Sequence, residues 1–404
     1  MTPSGASLVG GSVELDVGPV AHGGHCVARH EGRVVFVRHA IPGERVRATI
    51  TEGGETSRFL RADAVEVLSA SPDRVTPPCP YSGPDACGGC DFQHVGVDRQ
   101  RALLGDVVRE QLHRLAGIDW QGDVEAVPGD EAGLRWRTRV RFTATTDARP
   151  ALRKHRSHDL VAVDDCRIAS AALPDVGDAL RQGAPSAEAV VTTTGDRAVL
   201  TPGGAVPVVS EQAAGRRWSL HADDFWQVHP GAADALVAAV LEGTAPAPDE
   251  RCWDLYSGVG LFSAVLAEAV GTGGSVVAVE SRRSAVEDAR TNLGALPQVR
   301  FVQDRVERFV RSRIAQGRLD VVVLDPPRSG AGAAVVSALV RQSPRVVAYV
   351  ACDPAALARD LATLQRLGYG LSSLRAFDIF PMTHHVECVA ICRPQRHPED
   401  PTPR

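Results

Sequence analysis

The feature that most constrains this chain is an alternation of short apolar runs and helical stretches that begins near residue 221. The apolar runs, interpreted as strands, lie at 252–255, 275–280, 299–303, 321–324 and 346–350. Helical spacing of apolar residues occurs between them, near 261–270, 284–293, 305–315 and 332–342. Strands that alternate with helices build parallel sheets through right-handed crossovers. Residues 221–395 are therefore predicted to form a doubly wound, mostly parallel α/β sheet.

Cys352 is predicted to lie between the last of these strands and the helix that follows it. Asp353 is in the N-cap position, Pro354 suits the first helical turn, and residues 355–367 have helical spacing. A thiol near a helix N-terminus feels the positive end of the helix dipole, which favours the nucleophilic thiolate. Cys352 is thus a candidate nucleophile, and a buried Cys with a purely packing role is the alternative.

Glycine and acidic residues follow the first three strands, at the edge where parallel sheets bind their ligands. Gly258 and Gly260 allow the backbone to approach a ligand closely. Glu280 can accept both hydroxyl groups of a ribose, and Asp304 can meet an adenine edge. The chain lacks the Gly-x4-Gly-Lys motif of ATP-hydrolysing proteins. The pattern is similar to class I S-adenosylmethionine-dependent methyltransferases, whereas a dehydrogenase would share only its first two elements.

Residues 1–70 alternate short β-like runs with glycine and proline turns, which is typical of a small β-barrel. Gly18, the run Ala-His-Gly-Gly at 21–24, the strand from Val34 and the turn Pro-Gly-Glu at 42–44 together resemble a TRAM domain. This resemblance implies an OB-like module that binds RNA. A structural barrel without a ligand is the alternative.

Residues 71–220 form the predicted central domain, which contains a four-cysteine site. Three of its residues are clustered and the fourth lies far downstream: Cys79, Cys87, Cys90 and Cys166. Nine cysteines without a secretion signal disfavour a disulfide framework. Four thiolates can hold zinc or an iron–sulfur cluster. Because zinc ligands more often come as two closely spaced pairs, we predict a [4Fe–4S] cluster with zinc as the alternative, and a structural or RNA-orienting role.

The same domain contains the one dense basic region of a chain whose net charge is −5. If residues 134–142 form a strand, four arginines share one face, since side chains alternate with a period of two. These arginines are Arg135, Arg137, Arg139 and Arg141. Arg-Lys-His-Arg follows at 153–156. The region is predicted to contact RNA phosphates, with a solvated arginine face as the alternative.

Three motifs lie at predicted strand ends and loops of the carboxyl-terminal part. They are Asp-Pro-Pro-Arg at 325–328, Tyr-Val-Ala-Cys-Asp-Pro at 349–354, and the run 377–387 that ends in His-His-Val-Glu. With Asp-Phe-Trp-Gln-Val at 224–228, they resemble the RNA uracil-5-methyltransferase family over essentially the whole chain. The resemblance implies Cys352 as nucleophile and Glu387 as base. It also implies the residues that bind S-adenosylmethionine: Gln227, Tyr256, Gly258, Glu280, Asp304 and Asp325.

The chemistry of uracil agrees with these assignments. Uracil C5 is a poor nucleophile until a thiolate adds to C6, and a base must afterwards remove the C5 proton. Asp325 is expected to contact the uracil edge or the reacting centre. The target base must leave its stack, and Phe225 or Trp226 is expected to pack on it.

The chain departs from the family pattern at a few positions. Ala351 and Asp353 replace the common Ser and Asn beside the nucleophile, and seven residues rather than the usual five separate Cys79 from Cys87. These changes leave the predicted nucleophile and all four cysteine ligands in place.

The leading prediction is methylation of uracil C5 in 23S ribosomal RNA, because a TRAM-like domain and a four-cysteine site accompany the catalytic motifs. The same chemistry on the thymine loop of tRNA is the alternative, and a non-catalytic RNA-binding protein is a more distant one. The chain has neither an apolar signal segment nor a long apolar run, which predicts a cytoplasmic protein without a membrane partner. Residues 396–404 are predicted to form a disordered tail.

Overall fold

The computed structural model of the chain describes residues 6–312, 315 and 317–395. The predicted disordered tail, 396–404, lies outside the described residues, as does part of the helix predicted over 305–315. Within the described residues, no helix combines the length and the apolar character needed to cross a membrane.

Six strands near the amino terminus form one sheet with the order β1-β5-β6-β4-β3-β2. They are β1 (Ser12–Asp16), β2 (Val20–Ala21), β3 (His25–His30), β4 (Arg33–Arg38), β5 (Arg45–Glu52) and β6 (Phe59–Ser69). Strands β4 and β6 pair in parallel, and the other neighbours are antiparallel. In β1, Val13 and Leu15 are buried while the residues between them are exposed. This period of two places one face of the sheet in a core.

The central region contains a long helix, a five-stranded antiparallel sheet and a separate hairpin. Its elements are α1 (Val97–Ala116), β7 (Val124–Ala126), β8 (Arg139–Ala144), β9 (Pro150–Arg153), β10 (Leu160–Ala162), α2 (Gly177–Arg181), β11 (Ser186–Val191), β12 (Arg197–Leu200), β13 (Val208–Ala213) and β14 (Arg216–His221). The sheet has the order β10-β9-β8-β11-β12, and β13 pairs only with β14 among the described residues.

The carboxyl-terminal region contains the predicted alternation of strands and helices. Its elements are α3 (Ala232–Thr244), β15 (Arg251–Leu255), α4 (Leu261–Val270), β16 (Ser275–Glu280), α5 (Arg283–Leu293), β17 (Val299–Gln303), α6 (Val306–Phe309), β18 (Val321–Leu324), α7 (Gly332–Val340), β19 (Val346–Ala351), α8 (Pro354–Arg366), β20 (Tyr369–Asp378) and β21 (Glu387–Pro394). Strands β15 to β19 are parallel, and β21 is antiparallel to both β19 and β20. The prediction of a mostly parallel α/β sheet is confirmed.

This sheet has eight strands in the order β17-β16-β15-β18-β19-β21-β20-β7, and the last of them comes from the central region. Strand β7 pairs in parallel with β20, and helix α1 packs on α8. Buried side chains of the amino-terminal sheet, α1 and one face of the large sheet form one continuous core. The domain boundaries at residues 70 and 220 stay predictions, since elements on both sides of them share this core.

The strand predicted over 134–142 is wrong in its first half, because β8 begins only at Arg139. Arg135 has a φ of 59°, which a strand cannot accommodate, and its guanidinium forms two hydrogen bonds with the Asp165 carboxylate, at 2.6 and 2.7 Å. The buried Arg139 donates from Nη1 to backbone carbonyls of Ala222 and Asp224. The four arginines therefore do not form one basic face.

Candidate active site

Cys352 and Glu387 occupy neighbouring positions on adjacent strands. Ala351 of β19 lies opposite Cys388 of β21 in an antiparallel pair. Cys352 directly follows Ala351, and Glu387 directly precedes Cys388. The predicted nucleophile and the predicted base therefore lie opposite each other, one position beyond the Ala351–Cys388 pair. This position is at the edge where the parallel strands end.

The turn that carries Cys352 is held by the helix that follows it. The Asp353 Oδ1 atom accepts a hydrogen bond from the backbone N–H of Ala356 at 2.7 Å, and Pro354 is the first residue of α8. The predicted N-cap is confirmed. An Asp in this position satisfies one of the free N–H groups of the first turn, so the helix begins directly after Cys352.

The surroundings of Cys352 favour the thiol over the thiolate in the free protein. The pKa of Cys352 is raised to about 11, first by burial and then by the negative charge of Glu387. The positive charge of Arg328 opposes this rise without cancelling it. The sequence-based expectation that the helix N-terminus favours the thiolate is therefore not met, because burial outweighs the dipole.

Two further acidic residues, the half-buried Asp325 and the buried Asp254, continue the series of carboxyl groups from Glu387. Burial, and then the charge of Asp325, raise the pKa of Glu387 well above its usual range. Burial and the charge of Asp254 raise the pKa of Asp325 in the same way. Neighbouring carboxylates disfavour each other's ionisation, so burial and the charge of Asp325 both favour the protonated form of Glu387 in the free protein. Arg328 is a positive group that lowers the pKa of both Glu387 and Cys352.

Residues that the sequence analysis did not assign complete these surroundings. Nη2 of Arg328 lies 3.2 Å from Nε2 of His385, whose pKa is lowered to about 3 by burial, so the neutral ring accepts this hydrogen bond. Nδ1 of His384 lies 2.6 Å from Oδ2 of Asp91. Asp91 follows Cys90 in the chain, so the loop before Glu387 is tied to the four-cysteine region. No sequence pattern joins these residues, because the contact spans distant segments.

Three of the residues predicted to bind S-adenosylmethionine line one cavity of about 350 Å³: Tyr256, Glu280 and Asp304. Pro327 of the Asp-Pro-Pro-Arg motif closes another side of it. The Glu280 carboxylate accepts hydrogen bonds from the backbone N–H groups of Gly258 at 3.1 Å and Arg282 at 2.7 Å. Hydrogen bonding to Arg308 lowers the pKa of Asp304, so its carboxylate stays ionised. The cavity thus presents two carboxylates at the edge where such sheets bind nucleosides.

Gln227 and Asp325 lie outside the lining of that cavity. Gln227 is buried, and the preceding Trp226 is also buried, with its ring centroid 5.8 Å from that of Trp218. Phe225, in contrast, is 67% exposed. Of the two residues predicted to pack on the target base, Trp226 belongs to the core. Phe225 is the aromatic side chain of this motif that a base can reach.

All four cysteines of the predicted cluster site line a second cavity of about 350 Å³. The loop that carries three of them is docked on the segment 153–156, where the Gly88 N–H donates to the Arg153 carbonyl at 2.9 Å. No three of the four thiols, all described, have their sulfur atoms within 4.8 Å of one another. Tetrahedral zinc with Zn–S bonds of about 2.3 Å needs sulfurs about 3.8 Å apart. The four thiols thus border one cavity, but their positions do not form a tetrahedral zinc site.

Basic side chains line this cavity, and only some of them form ion pairs. Arg137, Arg153 and Arg156 line it, and these three form no ion pair among the described residues. Lys154 is paired with Asp85 at 2.6 Å, and Arg141 with Glu188 at 2.6 Å. Guanidinium groups beside the cysteines that have no ion-pair partner among the described residues are suited to phosphate contacts.

Two family models match the chain. The model described as tRNA (Uracil-5-)-methyltransferase matches residues 219–393, and the TRAM domain model matches residues 6–65. Similarity to solved structures includes tRNA (uracil-54, C5)-methyltransferase of Pyrococcus abyssi in complex with S-adenosyl-L-homocysteine. That similarity has a TM-score of 0.69 at 22% identity and covers 94% of this chain and 100% of that one. At this identity it shows the shared fold.

Relatives along nearly the full length are more similar in sequence. An uncharacterized RNA methyltransferase of Streptomyces avermitilis is 47% identical, over 96% of this chain and 99% of the relative. The 23S rRNA (uracil(1939)-C(5))-methyltransferase RlmD of Pseudomonas fluorescens is 34% identical, over 95% of this chain and 94% of the relative. This chain is therefore an RNA methyltransferase with an amino-terminal TRAM domain, and it belongs to the RNA uracil-5-methyltransferase family.

Proposed function

We propose that this protein methylates C5 of a uridine in 23S ribosomal RNA, with S-adenosylmethionine as the methyl donor. The observation that carries the proposal is the placement of Cys352 and Glu387 at adjacent positions of one strand pair. A nucleophile for C6 and a base for the C5 proton are what this reaction requires. Their neighbouring positions support the proposal that both act on the same uracil ring.

In the proposed reaction the Cys352 thiol first gives its proton to solvent water, and Sγ then forms a bond to C6 of the uracil ring. The electron pair of the C5–C6 double bond moves to the C4 carbonyl, which makes C5 nucleophilic. S-adenosylmethionine, when bound, would supply the methyl group that C5 attacks, and S-adenosylhomocysteine would be the leaving group. The Glu387 carboxylate then removes the C5 proton, and the C6–S bond breaks to release the Cys352 thiolate.

The charges of the site are consistent with this order of events. In the free protein the raised pKa values of Cys352 and Glu387 favour their protonated forms, so each group must lose a proton before it can act. Positive charge next to them lowers the pKa of each group, and Arg328 already acts in this direction. We infer that Arg328 supports ionisation of the pair during the reaction.

The cofactor assignments follow from the cavity beside the strand ends. We assign the adenosine part of S-adenosylmethionine to the cavity lined by Tyr256, Glu280 and Asp304, where carboxylates are suited to ribose and adenine contacts. Gln227, Gly258 and Asp325 stay predicted contacts of the same cofactor, with Asp325 near the reacting centre. Phe225 is proposed to stack on the target base, because its ring is exposed.

We further propose that Cys79, Cys87, Cys90 and Cys166 hold a [4Fe–4S] cluster. The support is that all four cysteines line one cavity of about 350 Å³, since four thiolates are the ligands that such a cluster needs. Four protein ligands leave no iron available for substrate, so the cluster would orient the cysteine loop and the arginines beside it. Analysis of iron, sulfide and zinc in protein purified without oxygen tests this assignment, and one zinc ion per chain without iron would contradict it.

The preference for ribosomal RNA rests on the full-length relative from Pseudomonas fluorescens, which carries that substrate in its name. The alternative, the thymine loop of tRNA, is supported by the family model and by the structurally similar protein of Pyrococcus abyssi. The two substrates share the chemistry at C5. The choice between them is therefore a question of RNA binding, which the experiment must address directly.

The test is methyl transfer from labelled S-adenosylmethionine to purified 23S rRNA and to tRNA, each lacking 5-methyluridine, followed by nucleoside analysis. We expect label in 5-methyluridine of 23S rRNA, abolished by Cys352→Ala and retained by Cys26→Ala, which changes a buried cysteine of the amino-terminal sheet. Label in tRNA alone would support the proposed methylation of uracil C5 and contradict 23S rRNA as the substrate. No transfer to either RNA would favour a non-catalytic RNA-binding protein.

A further inference from the structure

A loop of the TRAM domain reaches the turn that carries the proposed nucleophile. His22 follows β2, and its Nε2 atom lies 3.0 Å from Oδ2 of Asp353, 331 positions further along the chain. Asp353 directly follows Cys352. The side chains of His22 and Asp353 are only 37% and 22% exposed. An ion pair or hydrogen bond between them is therefore partly shielded from water.

The same loop also touches the segment that precedes Glu387. Gly24 has a φ of +79°, and a Cβ atom built on it would lie 2.8 Å from Cβ of His384. Such a distance leaves no room for a side chain, so the loop backbone packs directly on His384. The TRAM loop thus contacts the two segments that carry the proposed nucleophile and the proposed base.

The Asp353 side chain is held from two sides. Its Oδ1 atom caps helix α8 through the Ala356 N–H, and its Oδ2 atom faces His22. Helix α8 fixes one oxygen and the TRAM domain fixes the other. Because residues 352 and 353 share a planar peptide bond, a restraint on Asp353 also limits the orientation of Cys352.

We propose that His22 is a positioning residue for Cys352, so that the TRAM domain acts in the chemical step as well as in RNA binding. The inference rests on the proposed function, since it assumes that Cys352 attacks uracil. Loss of the His22 contact would leave the Asp353 side chain held only by its N-cap bond. Small displacements of a nucleophile from its attack geometry slow a reaction strongly.

A purely structural role for this contact predicts a different result. If His22 only docked the TRAM domain, its loss would weaken RNA binding or stability and leave the bound complex equally reactive. The two roles are separated by the rate at saturating RNA, compared with the RNA concentration that half-saturates the enzyme.

The experiment uses the full-length protein and measures single-turnover methyl transfer to the RNA that the wild type modifies. We expect His22→Ala to lower the rate of methyl transfer at saturating RNA by about 10-fold or more. The RNA concentration that half-saturates the enzyme should change by about 2-fold at most. His22→Gln should recover most of the rate, because its amide N–H can donate to Asp353 Oδ2. His30→Ala is the matched control, since this β3 histidine makes no side-chain hydrogen bond among the described residues.

A second variant tests the pair without loss of the helix cap. Asp353→Asn keeps an oxygen for the Ala356 N–H and removes the charge that faces His22. We expect it to slow the step as well, and the double variant with His22→Ala to be no slower than the slower single variant. Multiplicative effects of the two changes would overturn the pairing.

The outcomes distinguish this inference from the proposed function. A wild-type protein that transfers no methyl group to any RNA refutes both. An active wild type whose His22→Ala variant has an unchanged rate at saturating RNA refutes the inference alone. A slow His22→Ala variant that glutamine does not rescue, or a His30→Ala variant that is equally slow, also overturns it.

Discussion

The raised pKa of Glu387 has a consequence for its proposed role as base. A carboxylate that binds its proton tightly is a stronger base once it has ionised. The cost of this arrangement is that ionisation needs a compensating positive charge. Arg328 supplies part of that charge within the protein itself.

We predict that Glu387→Gln stops the reaction after methyl transfer. Cys352 can still add to C6 and the methyl group can still reach C5, but the C5 proton then has no base. Released 5-methyluridine should fall by about 100-fold or more, and a covalent protein–RNA complex should accumulate. A denaturing gel with labelled RNA measures the complex. The double variant Glu387→Gln/Cys352→Ala must lack it, and normal product release by Glu387→Gln would contradict the assignment.

Asp378 at the end of β20 provides a test of burial that is independent of catalysis. It is 2% exposed, and its Oδ1 atom has no hydrogen-bond partner within the described part of the chain. Burial raises the pKa of Asp378 to about 7, with Asp130 adding to the rise and Arg101 opposing it. The folded state therefore binds this proton more tightly than the unfolded state. The stability from this group is complete below its unfolded pKa and is lost as the pH rises through about 7.

We predict that Asp378→Asn reduces the loss of stability on going from about pH 5 to about pH 8. The free energy of unfolding of the wild type should fall over this range by up to roughly 3 kcal/mol more than that of the variant. Urea unfolding at the two pH values measures the difference. Asp123→Asn, at an exposed site just before β7, is the control and should not change the pH dependence. If the free energy of unfolding fell equally with pH in the wild type and in Asp378→Asn, the Asp378 carboxyl group would be ionised when buried.

The loop 87–90 shows how one element depends on another for its shape. Cys87 forms an isolated β-bridge with Lys154, and Gly88 packs on the backbone of His155. A Cβ atom on Gly88 would lie 2.4 Å from the His155 N atom, whereas one on Gly89 would meet Cys87 Sγ at an ordinary 3.5 Å. A methyl group would therefore clash with the backbone at Gly88 and be accommodated at Gly89.

We predict that Gly88→Ala lowers the free energy of unfolding by about 1–3 kcal/mol, because the loop must move away from a backbone that cannot yield. Cluster content should fall with it, since two of the proposed ligands, Cys87 and Cys90, are on this loop. Gly89→Ala is the matched control and should leave stability and iron content near the wild-type values. Urea unfolding and iron and sulfide analysis measure both. The same loss in both variants would contradict the packing argument.

The molecule as a whole is acidic, with a net charge of −5, yet unpaired arginines gather beside the cysteine cavity. Arg153 and Arg156 belong to this group and form no ion pair among the described residues. An acidic protein that binds RNA needs such a local concentration of positive charge, because the potential near the phosphates decides the contact.

We predict that Arg153→Gln/Arg156→Gln weakens RNA binding and makes it less dependent on salt. The slope of log affinity against log salt concentration should decrease in magnitude by about 1 for each phosphate contact that is lost. RNA binding measured at several salt concentrations tests this. Arg290→Gln, at an exposed position of α5, should leave the slope unchanged. An unchanged slope in the double variant would place the RNA elsewhere on the molecule.

Much of the carboxyl-terminal fold could be predicted from the sequence, because its signals are local. Apolar runs and helical spacing placed β16, β17 and β18 at their observed bounds, and the Asp353–Pro354 pair predicted where α8 begins. Such patterns depend on neighbours within a few positions. The prediction of a strand before Arg139 was wrong because the structure there depends on a distant contact. Arg135 has a positive φ and pairs with Asp165, 30 positions further along the chain.

What the sequence established was therefore the fold of the large sheet, the family, and the identity of the candidate residues at the ends of its strands. Burial and long-range contacts were decided by the tertiary structure. It buried Trp226 and left Phe225 exposed, and it placed His22 of the TRAM domain against Asp353. It also raised the pKa of Cys352 where the helix dipole alone would lower it. These properties depend on which distant groups exclude water or bring charge, and no local pattern encodes that.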